Sequence, residues 1–303
     1  MAPTVQIEGV TKRYGERYAV RGLDLALEPG ECVALVGHNG AGKSTLIKMM
    51  LGLTQPSEGR ITVLGEDPCG PHSARLRASM GFLPENVAFA PAMTGCELID
   101  FYARLRGEPV AANRALLERV GLGEAARRRV GTYSKGMRQR LGLAQALLGS
   151  PRVLLLDEPT SGLDPASRQD FYDIVRERRD AGATVLLSSH ALSEIEDRTD
   201  RIAVMSRARL VACGTLAELR ALAPLPVRIR VHFDEGGAGF AGSMLAPKAW
   251  EWLDERRLEL TCANDTKVET LRELSTLKGI ADIEIIPPTL DEIYAHMMRE
   301  AAA

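Results

Sequence analysis

The most informative segment of this sequence is the octapeptide Gly37-His38-Asn39-Gly40-Ala41-Gly42-Lys43-Ser44. It matches the pattern G-x-x-x-x-G-K-[ST], and it lies between an apolar run at residues 33–36 and a helical pattern that begins near residue 46. Glycines let such a loop curl so that several backbone N–H groups point at one anion, while the lysine supplies a positive charge. We expect the octapeptide and Thr45 to bind the phosphates of a nucleotide, with Ser44 holding Mg²⁺.

A second apolar run, at residues 153–156, ends in the adjacent acids Asp157 and Glu158. Two acids at a strand end are more often solvated turn residues, and this pair becomes informative because a phosphate-binding loop precedes it. Phosphoryl transfer depends on positioning and on charge neutralisation. We expect Asp157 to anchor Mg²⁺ through its water shell, and Glu158 to orient the attacking water or accept a proton from it.

Short apolar runs alternate with helical patterns early in the chain, which predicts βαβ units and a sheet with parallel strands. Residues 223–226, Ala-Pro-Leu-Pro, break regular structure. We therefore predict an α/β domain at residues 1–222, with a helical subdomain at about 86–150, and a small α+β domain at 223–303. In that small domain, we expect strands at 227–233, 258–262 and 283–286, and helices at 266–277 and 290–298.

Composition limits the class of protein. Of the 303 residues, 45% are hydrophobic and 26% are charged, which suits a folded chain with a real core. The 38 Lys and Arg residues balance 40 Asp and Glu residues, so we expect no nucleic-acid partner. The five cysteines form no C-x-x-C pair, which favours neither a disulfide framework nor a zinc site and fits a reducing cytoplasm.

Nothing near the N-terminus has the basic and apolar regions of a signal peptide, and residues 1–10 predict a strand entering a domain. No apolar run approaches the roughly 18–20 residues that span a bilayer. If this protein moves a substance across a membrane, we expect another chain to supply the channel.

A third motif carries a specific family resemblance. Residues 133–140 read Tyr-Ser-Lys-Gly-Met-Arg-Gln-Arg and open a helical pattern, in which Ser134 is a good N-cap on any interpretation. The segment resembles the signature motif of the ATP-binding subunits of ABC transporters. The resemblance implies that Ser134, Lys135 and Gly136 contact the γ-phosphate of ATP held by a second subunit, where a helix N-terminus favours an anion.

Other elements of that family follow in order. Residues 161–164, which end at Asp164, resemble the D-loop, and His190 resembles the switch histidine that contacts the γ-phosphate. Tyr14 matches the aromatic residue that stacks on adenine. Taken singly, a histidine after an apolar strand is usually structural, and an isolated tyrosine is usually a packing residue. The resemblance covers about residues 4–220.

The resemblance implies a P-loop NTPase of ABC type that binds ATP and Mg²⁺ and hydrolyses ATP, with Glu158 and His190 as its catalytic residues. It implies a homodimer with ATP between the two copies, and integral membrane permease subunits as partners. The segment at residues 85–96 corresponds to the place where the family docks its membrane subunit. We therefore expect a peripheral location on the cytoplasmic face of the inner membrane.

Two departures from the family pattern narrow the resemblance. The usual signature is Leu-Ser-Gly-Gly-Gln, whereas Lys135 and Met137 stand here in place of a glycine and the glutamine. Glu85 replaces a glutamine; its carboxylate can still meet Mg²⁺ or water, although it adds negative charge near the phosphates. Both departures are familiar in the exporter-like branch.

Within that branch, several strings are most similar to the Nos-type ATPase, which serves maturation of the copper centres of nitrous oxide reductase: residues 38–40, 84–87, 132–137 and 225–230. The resemblance implies delivery of copper or sulfur, together with a periplasmic partner protein. Other cargoes stay open, including those of multidrug, ion and other exporters. A soluble ABC ATPase that acts on ribosomes or DNA is a further alternative, and a small-molecule kinase would leave the signature segment and His190 unexplained.

Overall fold

The computed structural model describes residues 2–234 and 250–301. The chain divides into two compact units, Met1–Thr215 and Leu216–Ala303. This division precedes the helix Leu216–Leu222, whereas the expected domain boundary follows it. The boundary between residues 222 and 223 stays a prediction.

The first unit is built from alternating strands and helices. Its strands are β1 (Val5–Tyr14), β2 (Arg17–Leu27), β3 (Cys32–Val36), β4 (Glu58–Val63), β5 (Met80–Leu83), β6 (Val153–Leu156), β7 (Thr184–Ser189), β8 (Arg201–Ser206) and β9 (Arg209–Gly214). Its helices are α1 (Lys43–Met50), α2 (Ser73–Ala78), α3 (Gly95–Arg106), α4 (Asn113–Arg119), α5 (Lys135–Leu147) and α6 (Pro165–Asp180). Short 3₁₀ turns lie at Val110–Ala112, Val130–Thr132 and Leu192–Glu194.

The main sheet has the order β5-β6-β7-β3-β8-β9. Strands β5, β6, β7, β3 and β8 pair in parallel in that order, and β9 pairs antiparallel with β8. Every residue of β3, β6 and β7 is buried, as expected for parallel strands covered on both faces. A second sheet, with the order β2-β1-β4, is antiparallel. The mixed sheet confirms the predicted α/β fold class.

One core cluster joins the two sheets to α1. It contains Val33 and Leu35 from β3, Leu155 from β6, and Leu46 and Met50 from α1, all fully buried. Burying apolar side chains of this size contributes roughly 1.5–3 kcal/mol each before the entropy cost of ordering them. The start of α1 is therefore fixed against the end of β3, which gives the loop between them a defined position.

The expected helical subdomain contains α3, α4 and α5. Helix α3 begins with a capping box: the Thr94 hydroxyl accepts from Glu97 N at 3.2 Å, and Thr94 N donates to the Glu97 carboxylate at 2.8 Å. The Thr94 N–H and the Thr94 hydroxyl both donate to the Glu97 carboxylate, which lowers the pKa of Glu97. Where α5 crosses β5, a Cβ on Gly81 would lie 2.1 Å from the Ala146 carbonyl oxygen, so this close crossing requires glycine.

The second unit is a small α+β fold. Its elements are α7 (Leu216–Leu222), β10 (Val227–Phe233), β11 (Trp250–Trp252), β12 (Arg257–Cys262), α8 (Lys267–Ser275), β13 (Ile280–Ile286) and α9 (Leu290–Glu300). The strands form an antiparallel sheet with the order β11-β12-β10-β13. Residues of β10 alternate between buried and half-buried, so one face supplies core residues such as Ile229 and Val231.

Within the described ranges, no helix combines the length and the apolar character that a membrane span requires.

The central sheet gives a stability prediction. Leu186 on β7 is 0% exposed, whereas Leu105 on α3 is 72% exposed. Leu186→Ala should lower the free energy of unfolding by roughly 2–5 kcal/mol because it leaves a cavity in a packed layer. Leu105→Ala, the matched control, should change it by less than about 0.5 kcal/mol. Urea denaturation followed by circular dichroism measures both, and equal losses would contradict the packing described here.

Candidate nucleotide-binding site

The glycine-rich loop lies between β3 and α1, as its sequence pattern predicts. Gly42 is the N-cap residue of α1, with φ at 112°, and a Cβ there would lie 2.2 Å from the Ala19 carbonyl oxygen. Only glycine fits this position without displacing β2. The first N–H groups of a helix have no intrahelical partner, so the loop and the start of α1 present donors suited to an anion.

Lys43 folds back over the loop. Its ammonium group donates to the Gly37 carbonyl oxygen at 2.6 Å, and the side chain is 7% exposed. The same group lies 3.8 Å from a carboxylate oxygen of Glu158. A single buried cation therefore links the phosphate-binding loop to the acids that follow β6.

Asp157 and Glu158 follow β6 directly. Asp157 is buried and accepts a hydrogen bond from the Ser188 hydroxyl at 2.7 Å. One Glu158 carboxylate oxygen lies 2.6 Å from His190 Nδ1, so the predicted catalytic pair is in contact. Glu158 has φ at 48°, in the left-handed region that residues other than glycine seldom occupy. Such strained residues often lie at functional sites.

These groups surround a cavity of about 510 Å³, a size typical of small-molecule sites. Its lining residues come from the β1–β2 hairpin, the glycine-rich loop and the strand ends: Tyr14, Arg17, Tyr18, Ala19, His38, Asn39, Gly40, Ala41, Gly42, Lys43, Ser44, Thr45, Glu85, Asp157 and Glu158. Gly37 and His190 are not among the lining residues. Gly37 accepts a hydrogen bond from Lys43, and His190 contacts Glu158.

Sequence reasoning missed the contribution of β2, namely Arg17, Tyr18 and Ala19. Gly15, which has a positive φ and follows Tyr14, was the available signal, because glycine at such a position often marks a tight hairpin. In the structure Tyr14 pairs with Arg17 across that turn. Tyr14 is 54% exposed at the cavity rim, with the Lys12 ammonium 5.0 Å from its ring centroid.

The signature segment and the D-loop segment lie together, and the residues lining the described cavity do not include them. The Ser134 hydroxyl caps α5 by accepting from Met137 N at 3.2 Å. The Lys135 ammonium donates to the Ser161 hydroxyl at 3.1 Å. A Cβ on Gly136 would lie 3.2 Å from the Gly162 carbonyl oxygen.

Asp164 caps the neighbouring helix, α6. Its carboxylate accepts from Ser167 N at 3.0 Å and from the Ser167 hydroxyl at 2.7 Å. These hydrogen bonds lower the pKa of Asp164. In one chain, therefore, the predicted residues form two groups: one around the cavity, and one at the N-termini of α5 and α6.

The donor set at the cavity fits Mg²⁺. Ser44, Glu85 and Asp157 all line it and offer only oxygen atoms, which Mg²⁺ prefers. Mg²⁺ commonly keeps several waters and takes one or two carboxylates together with substrate phosphates. Among residues 2–234 and 250–301, no group of three or more His, Cys, Asp or Glu side chains could hold a metal ion by itself.

Comparison with known proteins connects this geometry to a family. The family model described as ABC transporter matches residues 20–161. Daunorubicin resistance ATP-binding protein DrrA3 of Streptomyces coeruleorubidus is 38% identical over 308 residues, covering 98% of this chain and 96% of that protein. Nod factor export ATP-binding protein I of Ralstonia nicotianae is 38% identical over 221 residues, covering 72% of this chain and 68% of that protein.

Solved structures agree with the sequence relatives. A structure described as the ATP-binding subunit of an ABC transporter superposes with a TM-score of 0.67 at 29% identity, covering 72% of this chain and 92% of that one. The protein cbiO1 of Clostridium perfringens, described as part of the ABC transporter complex cbiONQ, superposes with a TM-score of 0.65 at 27% identity, covering 73% and 92%. This chain belongs to the ABC transporter family, as one of its ATP-binding subunits that hydrolyse ATP.

Proposed function

We propose that this chain drives an exporter-type transporter that supplies copper or sulfur for the maturation of nitrous oxide reductase. The observation that carries the ATP-driven part is the convergence of the glycine-rich loop, Lys43, Asp157 and Glu158 on one cavity. The identity of the cargo is a separate proposal. It rests on the short segments at residues 38–40, 84–87, 132–137 and 225–230, which resemble the Nos-type ATPase. The family's ATPase subunits work as dimers with membrane permeases.

The residues around the cavity have separate roles in this proposal. Loop N–H groups from residues 37–45 and the Lys43 ammonium hold the phosphates, and Tyr14 stacks on adenine. Ser44 would hold Mg²⁺, Glu85 would meet Mg²⁺ or its water, and Asp157 would hold it through water. Bound Mg²⁺ would neutralise charge on the phosphate oxygens.

Glu158 is the group that we assign to the attacking water. Its carboxylate lies between Lys43 and His190, at 3.8 Å and 2.6 Å. A triphosphate that reaches Lys43 offers the ammonium a stronger anion, which releases Glu158 to accept a proton from water or to orient it. His190, 69% exposed on its side chain, is then free to contact the γ-phosphate.

Two copies of the chain are needed to complete the site. Ser134, Lys135, Gly136 and Asp164 belong to the group at the N-termini of α5 and α6, and we propose that they face the ATP held by the second copy. The N-terminus of α5 carries a partial positive charge that favours a γ-phosphate. ATP then bridges the copies, and its hydrolysis weakens the bridge, so nucleotide state switches the dimer between closed and open forms.

We place the permease contact at residues 85–96, which run from the loop after β5 into the first turn of α3. Residues 90–92, Ala-Pro-Ala, are exposed there. Through this contact the dimer would lie on the cytoplasmic face of the inner membrane, with a periplasmic partner protein receiving the cargo and no nucleic acid involved. We further propose that residues 1–222 and 223–303 are the two functional domains.

A second candidate cargo is a drug-like small molecule. The observation that favours it is the 38% identity with a daunorubicin resistance protein over 98% of this chain, second domain included. Both candidates share the same ATP chemistry, because the ATPase subunit contacts nucleotide and permease. Only a measurement of the transported substance or its product separates them.

Glu158→Gln tests the assigned catalytic role. Because the amide keeps the shape but cannot accept the proton, turnover should fall by at least about 100-fold while ATP binding persists. An ATP-bound dimer should accumulate, as measured by size-exclusion chromatography. Glu177→Gln, an exposed position on α6, is the matched control and should retain wild-type turnover. An undiminished ATPase rate in Glu158→Gln would overturn the role.

Gly136→Asp tests the shared site. A carboxylate at the N-terminus of α5 repels the γ-phosphate held by the other copy, so Gly136→Asp combined with Glu158→Gln should stay monomeric with ATP. Each monomer should still bind nucleotide at its own glycine-rich loop. Ala115→Asp adds the same charge at an exposed position on α4 and should leave the dimer intact. A normal ATP-dependent dimer in the Gly136 variant contradicts the composite site.

Deletion of the gene, with wild-type or Glu158→Gln protein supplied from a plasmid, tests the cargo. Under our proposal, only the wild-type protein restores the copper-centre absorption of purified nitrous oxide reductase. A reductase that retains its copper centres in the deletion strain would contradict the maturation role. Increased daunorubicin sensitivity in that same strain would then support the second candidate.

A further inference from the structure

Ser188, near the end of β7, bridges the two acids of the site. It is 0% exposed, and its hydroxyl donates to a carboxylate oxygen of Asp157 at 2.7 Å. The hydroxyl oxygen of Ser188 also accepts a hydrogen bond from the backbone N–H of Glu158 at 2.8 Å. One buried hydroxyl therefore contacts both consecutive acids, and its donor and one of its acceptor sites are used.

The backbone geometry explains why a side chain is needed there. The last paired residues of β6 and β7 are Leu156 and Leu187, and beyond them Asp157 N donates toward β5, to the Leu83 carbonyl oxygen at 2.8 Å. Glu158 then turns out of the sheet with its positive φ, and its N–H points at Ser188 instead of a strand carbonyl. Ser188 thus supports the left-handed turn that sends the Glu158 side chain toward Lys43 and His190.

We propose that Ser188 is a positioning residue. It holds Asp157, the acid on the Mg²⁺ side, in a fixed position relative to Glu158, the acid on the side of the attacking water. This inference rests on the function proposed above. A carboxylate that accepts a buried hydrogen bond keeps one orientation of its oxygens, and groups that orient metal ligands typically change metal affinity when they are removed. An alanine would leave Asp157 free to rotate and would leave the Glu158 N–H without this partner.

A purely structural hydroxyl on the same strand offers a comparison. Thr184 lies at the opposite end of β7, is 1% exposed, and has its hydroxyl 3.0 Å from the Glu28 carbonyl oxygen and 2.9 Å from the Thr4 hydroxyl. Thr184→Val removes a buried hydrogen-bonded hydroxyl with little change in volume. It therefore measures the stability cost of such a loss away from the acids.

The experiment compares the wild-type chain with Ser188→Ala, Ser188→Cys, Ser188→Thr and Thr184→Val. The readouts are kcat and KM for ATP, nucleotide affinity in EDTA, melting temperature, and the affinity of the complex with a non-hydrolysable ATP analogue for Mn²⁺ by electron paramagnetic resonance. Ser188→Ala and Ser188→Cys should lower kcat and Mn²⁺ affinity by at least about tenfold each. Nucleotide affinity in EDTA should not change.

Ser188→Thr keeps the hydroxyl and should recover most of both losses, whereas Thr184→Val should lower only the melting temperature. Wild-type kcat and Mn²⁺ affinity in Ser188→Cys and Ser188→Ala would overturn the proposal, as would equal losses in Thr184→Val. If Ser188→Ala does not fold, the difference between the cysteine and threonine variants decides. Failure of the residue roles proposed above has a different signature, since Glu158→Gln would then hydrolyse ATP at the wild-type rate.

Discussion

Parallel pairing of β6, β7 and β3 is the constraint on which the site depends. The register that pairs Leu156 with Leu187, and Val36 with Ser189, brings three strand ends to one edge of the sheet. The loops that leave this edge carry the glycine-rich turn, the two acids and the histidine, as ligand sites of open α/β sheets commonly do. Because these strands are buried on both faces, a slip in register would disrupt close packing on both sides of the sheet, so the packed core holds the site residues in place.

At this edge of the sheet, the polar residues of the site contact one another directly. Lys43 reaches from the loop to Glu158, Glu158 reaches His190, and Ser188 reaches back to both acids. Each contact joins residues that are far apart in sequence. The contacts of Glu158 and Asp157 with His190 and Ser188 link the neighbouring strands β6 and β7, whereas the contact between Lys43 and Glu158 links the ends of β3 and β6 across β7. The signature segment lies elsewhere because its support comes from different elements, the N-termini of α5 and α6.

The parts that the sequence could predict are those governed by local patterns. Strand Val153–Leu156 is a pure apolar run, strand Val227–Phe233 alternates strictly, and both have the expected bounds. The missed parts depend on tertiary contacts: Arg17 enters the cavity through hairpin pairing, and Ser188 has no motif that distinguishes it from a core strand residue. The short strand Trp250–Trp252 exists through its pairing with β12, which no window of the sequence encodes.

The bond between Lys135 and Ser161 has a consequence for communication between the two pockets of the proposed dimer. In the proposed function, Lys135 faces the ATP held by the other copy and Glu158 acts on the chain's own ATP. Ser161, which accepts from the Lys135 ammonium, lies three residues after Glu158. Because the Lys135 ammonium donates to the Ser161 hydroxyl within one chain, a displacement of the signature segment would also move the segment that contains Ser161, and the reverse. Cross-talk between the pockets would therefore run through each polypeptide as well as across the interface, and a glycine at position 135, as in the usual signature, would lack this tether.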